Sequence, residues 1–241
     1  MNILCIGNSF SQDATRYLHQ VSGEELYVRN LYIGGCSLET HMNNIKNEAN
    51  AYEYQKNGRL MRMISINEAL KKKKWDFVTI QQVSHFSGMI ETYEPYTEFI
   101  INYIKENCPS AKIVFHRTWA YSTTSGHEGF LNYGRSQEKM FEQIISASSE
   151  IAKKYNLDII PCGDAVQAAR KYPEFDESVR DITRDGFHMS LDYGRYLTAL
   201  VMYKYFSGKD VTQVSYAPCK TDKKIIELLK QIANETKPLI V

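Results

Sequence analysis

Five short runs of this chain are apolar almost without interruption: NILCIG (2–7), LYVRNLYI (26–33), DFVTI (76–80), KIVFHR (112–117) and LDIIP (157–161). Continuous rather than alternating runs mark strands buried on both faces, as in parallel sheets. The second run is less pure but rich in strand formers. Between and after the runs the apolar period lengthens to that of helices. Helices are expected over 12–22, 65–74, 93–107, 135–155, 163–171, 192–206 and 221–235. Ser65-x-x-Glu68 opens the second with a capping-box pattern. Cys108-Pro109 closes the third, because the residue before a proline avoids helical geometry. In 135–155, Met140, Ile144, Ile151 and Ala152 share one face.

Strands alternating with helices predict right-handed βαβ units. The expected fold class is therefore α/β. It is a flavodoxin-like three-layer α/β/α sandwich on a central, mostly parallel five-stranded sheet, in one domain over 1–241. Two stretches break the alternation. Residues 42–62 are polar with Tyr52 and Tyr54, and read as an insertion after the second strand. Residues 118–134, TWAYSTTSGHEGFLNYG, read as a long loop over the carboxyl edge of the sheet, the kind of loop that often carries function.

Composition narrows the function classes. The 241 residues are 43% hydrophobic and 24% charged with a net charge of +1, which gives no electrostatic case for nucleic acid or an anionic membrane. The run Lys71–Lys74 ends a helix, where cations suit the dipole and their heads reach water. Cys5, Cys36, Cys108, Cys162 and Cys219 are scattered with no metal-like spacing, and Cys5 inside a strand reads as packing. His41, His85 and His127 lack any local ligand pattern, so neither a metal nor a cofactor is expected. No apolar stretch reaches the ~20 residues of a membrane span. Met1 opens directly on the first strand, so the chain as written reads as cytoplasmic; with a leader removed it would be periplasmic or secreted.

Ligands of open α/β sheets bind outside the carboxyl ends of the strands. Past the first strand stand Asn8 and Ser9, past the second Gly34, Gly35 and Cys36, past the third Gln81, Gln82, Ser84 and His85. Near the tail, RDGFHMS (184–190) puts Asp185 and His188 three apart around Gly186. That spacing lets a carboxylate orient one imidazole nitrogen and leaves the other for a nucleophile. Each piece also has a plain reading: Ser9 or Ser11 as a helix cap, Gly34-Gly35 as a turn, Asp185 and His188 as a surface pair before a helix. Asp13, four residues after Ser9, reads as a structural acid in the first helical turn. His116 reads as a packed histidine.

Taken in order, these blocks resemble the SGNH/GDSL hydrolase superfamily. IGNSFS (6–11) is similar to its first block, with Asn8 where Asp is usual and Ser9 at the nucleophile. NLYIGGCS (30–37) is similar to the second, with Gly35 at the glycine whose amide helps bind the oxyanion. DGFHMS (185–190) is similar to the fifth, with Asp185 and His188 at the acid and base. The third block departs: IQQVSH (80–85) stands where G-x-N-D is usual. Some carbohydrate-acetylesterase branches have Gln in that role, and Gln82 is the match, with Gln81 and His85 as alternatives.

The resemblance implies a serine ester hydrolase with catalytic Ser9, Asp185 and His188 and an oxyanion hole of the Ser9 and Gly35 amides and Gln82. The substrate would be a carbohydrate or small-molecule ester carrying acetyl or another short acyl group. Asn8, His85, Trp119 and Tyr121 are the expected substrate contacts, the last two by stacking on a sugar. The competing readings are an O-acyltransferase on the same scaffold and a non-catalytic carbohydrate- or nucleotide-binding module. Against a nucleotide, GNSFSQD has one Gly and no P-loop Lys. Oligomeric state is left open.

Overall fold

Residues 1–240 are described by a computed structural model. Its strands are β1 (Asn2–Gly7), β2 (Tyr27–Tyr32), β3 (Tyr52–Lys56), β4 (Arg59–Ile64), β5 (Phe77–Ile80), β6 (Lys112–His116) and β7 (Asp158–Ile160). All lie in one sheet of order β4-β3-β2-β1-β5-β6-β7. The five apolar runs form its parallel part, β2-β1-β5-β6-β7.

The expected count of five strands is corrected to seven among the described residues. Within 42–62 the chain forms β3 and then the start of β4, an antiparallel hairpin that extends the sheet beyond β2. Its turn is Asn57-Gly58, with φ of 51° and 71° between the paired Lys56 and Arg59. Two successive positive φ values are the two-residue turn whose twist matches flanking strands.

The helices are α1 (Ser9–Thr15), α2 (Leu18–Val21), α3 (Leu38–Lys46), α4 (Ile66–Lys71), α5 (Tyr96–Asn107), α6 (Gln137–Tyr155), α7 (Cys162–Ala169), α8 (Tyr193–Ser207) and α9 (Lys223–Glu235). β1 shows why both faces are covered. Ile3 and Cys5 enter a core built with α1, α7, α8 and α9, while Leu4 and Ile6 enter a second core built with α3, α4 and α5. Among the described residues no helix is long and apolar enough to cross a membrane.

Two helix expectations need correction. The helix placed over 12–22 starts at Ser9 and breaks after Thr15, so Asp13 lies beyond its first turn. α3 was absent from the expected set. Ser37 caps it by accepting from the Thr40 N–H at 3.2 Å, and Leu38, Met42 and Ile45 form its buried face.

Candidate active site

The β1–α1 junction is built around Asn8. Its side-chain oxygen accepts the Phe10 N–H at 3.0 Å, which caps α1, and also accepts from the Gln81 amide at 3.0 Å. Its amide donates to the Cys36 carbonyl at 3.1 Å and so ties the turn after β2 to the turn after β1. Ser11 is equally committed, to the Asn8 carbonyl and the Asn30 side chain. Ser9, first residue of α1, is the one residue between Ile3 and Ser11 that is not buried. The capping role open to both serines belongs to Asn8.

At the tail, His188 Nδ1 lies 2.7 Å from Asp185 Oδ2, and Asp185 Oδ1 accepts the backbone N–H groups of Phe187 and His188 at 3.2 and 2.7 Å. Burial raises the Asp185 pKa, but the hydrogen bonds from the His188 ring and backbone outweigh it and hold the carboxyl below its ordinary range. Gly186 makes this loop possible. Its φ is +86°, and a Cβ there would stand 2.6 Å from the Ser125 Cα.

Head and tail are joined by Asp13. Its carboxylate is fully buried and takes Arg184 at 2.9 Å, Arg195 at 2.7 Å and the Met189 N–H at 2.9 Å. The sequence reading of Asp13 as structural agrees with this geometry, but it did not identify Arg184 and Arg195 as partners. No short-range pattern links residues 171 and 182 positions away.

Ser9 and His188 line one cleft of about 250 Å³. Asn8 and Phe10 flank Ser9. Tyr32, Gly34 and Gly35 form the β2 side, with Gly35 at φ +63°. Val83, Ser84 and His85 form the β5 side, and His127 and Phe187 stand beside His188. The structure thus gathers Asn8, Ser9, Gly35, His85 and His188 in one place, with Asp185 behind the histidine.

Three expectations fail here. Gln82 is not part of the cleft lining. Its amide donates to the Thr92 carbonyl (2.8 Å) and hydroxyl (3.2 Å), and its oxygen accepts from the Leu38 and Val83 N–H groups. A group whose donors are both spent cannot serve an oxyanion. Trp119 and Tyr121 are not substrate contacts, because both are fully buried. Trp119 stacks on Phe10 at 4.3 Å and donates to the Phe187 carbonyl, and the Tyr121 hydroxyl pairs with Ser84 at 2.8 Å. The loop that carries them packs down as a lid on the core instead of presenting its aromatics.

Gln81 is also committed, between Asn8 and His116, whose Nδ1 is 2.8 Å from the Gln81 oxygen. Burial pushes His116 down to about 3, so its ring is neutral and packed. Of the three scattered histidines, His85 and His127 come together with ring centroids 5.7 Å apart, whereas His41 bonds to Tyr52.

Over residues 2–236 the sequence matches the family model described as domain of unknown function (DUF4886). The crystal structure of a DUF4886 family protein from Bacteroides uniformis is 36% identical over 97% of this chain and 93% of that one, with a TM-score of 0.90. Two solved structures at lower identity share the fold. A protein from Slackia heliotrinireducens described as a candidate SGNH hydrolase is 23% identical over 86% of this chain and 99% of its own, with a TM-score of 0.60. An acetyl xylan esterase is 13% identical over 85% and 99%, with a TM-score of 0.58. No curated protein matches the sequence. The turn after β1, the turn after β2 and the Asp185–His188 loop all lie inside the matched span, and the chain belongs to the DUF4886 family.

Proposed function

We propose that this protein is a serine ester hydrolase working through an acyl-enzyme. The observation that carries the reading is the cleft shared by Ser9 and His188, with His188 Nδ1 held by Asp185 at 2.7 Å. The likeness in fold to an acetyl xylan esterase supports it. In this mechanism Ser9 Oγ attacks the ester carbonyl and His188 Nε2 takes the serine proton, then delivers it to the leaving alcohol. Asp185 fixes the ring with its proton on Nδ1 and stabilises the imidazolium. Water, deprotonated by the same nitrogen, releases the acid. The backbone N–H groups of Ser9 and Gly35 stabilise the oxyanion.

A space of about 250 Å³ is small for a ligand pocket, which supports a short acyl group such as acetyl with the alcohol part outside. The test is hydrolysis of p-nitrophenyl acetate by the wild type and Ser9→Ala, with fluorophosphonate labelling of both. Turnover and labelling are expected in the wild type, and Ser9→Ala should lose labelling and at least ~10⁴-fold in kcat. Turnover surviving the substitution would remove the nucleophile.

A further inference from the structure

With Gln81 and Gln82 both committed elsewhere, the side-chain member of the oxyanion site is unassigned, and on the esterase reading above it needs an owner. Side-chain donors of Asn8, Tyr32, Ser84, His85 and His127 line the cleft. One Asn8 amide hydrogen serves the Cys36 carbonyl, the Ser84 hydroxyl pairs with Tyr121, and His127 has its tautomer set by a backbone hydrogen bond. We infer that His127, on the loop after β6, is the side-chain donor that joins the Ser9 and Gly35 amides in binding the oxygen of the tetrahedral intermediate.

His127 Nδ1 accepts the Gly129 N–H at 2.9 Å, so the neutral ring carries its proton on Nε2. The ring is fixed on three sides, by Tyr121 at 5.0 Å, Phe187 at 4.9 Å and His85 at 5.7 Å between centroids. Gly129 is required for this packing, because a Cβ there would come 2.3 Å from the His85 Cβ and 3.1 Å from His127 Nδ1. His85 packs on Phe86 at 4.2 Å and backs the pair. Burial lowers the His127 pKa and the nearby His188 adds to this, against the smaller opposing effects of Glu128 and Asp185. With its proton on Nε2, the neutral ring donates a hydrogen bond without giving that proton up. A donor held in place before the reaction needs no reorganisation when charge develops.

His127 also caps the short 3-10 helix Glu128–Tyr133, and the experiment must separate that role from catalysis. His127→Asn keeps an oxygen for the Gly129 N–H, since Asn is a strong cap, but removes the ring donor. Thermal unfolding should match the wild type closely. On p-nitrophenyl acetate kcat should fall ~10²–10³-fold with KM within ~3-fold. His127→Gln, with a longer amide, should recover at least ~10-fold of the kcat that His127→Asn loses. If His127→Asn keeps kcat within ~3-fold, or changes only KM, the inference is overturned while a Ser9-dependent wild type leaves the esterase reading standing. A wild type that neither turns over ester nor labels at Ser9 overturns both.

Discussion

At the residue scale, this site is defined as much by what its amides are spent on as by which amides are present. Gln81 and Gln82 are adjacent and chemically identical, yet one holds Asn8 and the other holds Thr92 and the start of α3. Composition cannot separate them, because successive residues leaving a strand point to opposite faces. Gln82→Ala should therefore lower stability, by about 1–3 kcal/mol for each backbone group left unpaired. In the protein that remains folded, kcat on p-nitrophenyl acetate should change less than ~10-fold, against the ~10²–10³-fold of a lost oxyanion donor. Denaturant unfolding and steady-state kinetics on one preparation check both halves. That Ser9 and His188 share a cleft was anticipated from the order of the blocks along the chain, since each block alone reads equally well as a cap, a turn or a surface pair. Trp119 and Tyr121 were misread because an aromatic on a polar loop gives the same signal whether it faces a sugar or a core.

At the scale of elements, the parallel strands were legible because burial on both faces leaves unbroken apolar runs. β4 carries the opposite pattern: Arg59 to Met63 are exposed on an edge, so no face of it is marked by burial. The signal that could have found the hairpin was Asn57-Gly58, read instead as part of a polar insertion. Ser37 with Leu38, Met42 and Ile45 would likewise have given α3. The junction of α1 with the Asp185–His188 loop depends on one carboxylate facing two guanidinium groups. Asp13→Asn should cost at most about 3–5 kcal/mol, because it removes the fully buried carboxylate that pairs two partly exposed guanidinium groups. Urea unfolding of the variant measures it, and a loss below ~1 kcal/mol would show that Arg184 and Arg195 find water instead.

At the scale of the whole molecule, buried histidines set the response to acid. His41 and His116 are both pushed down to about 3 by burial, whereas in the unfolded chain a histidine titrates near ~6.5. Between those values the unfolded state holds protons that the folded state does not, so stability rises with pH and falls on acidification. From pH 7 to pH 5 each histidine should remove about 2 kcal/mol, or about 4 kcal/mol together. Unfolding free energies at the two pH values test this, and a flat profile would mean that both rings accept protons in the native state. His85 and His127, also lowered by burial, act in the same direction.

The Asp13 clamp has a kinetic corollary. It unites positions 171 to 182 residues apart, so a chain growing from the ribosome has made the serine long before the histidine exists. On the proposed esterase mechanism, activity is one of the last properties this polypeptide acquires, and its recovery after dilution from denaturant should track closure of the entire chain, not formation of the sheet.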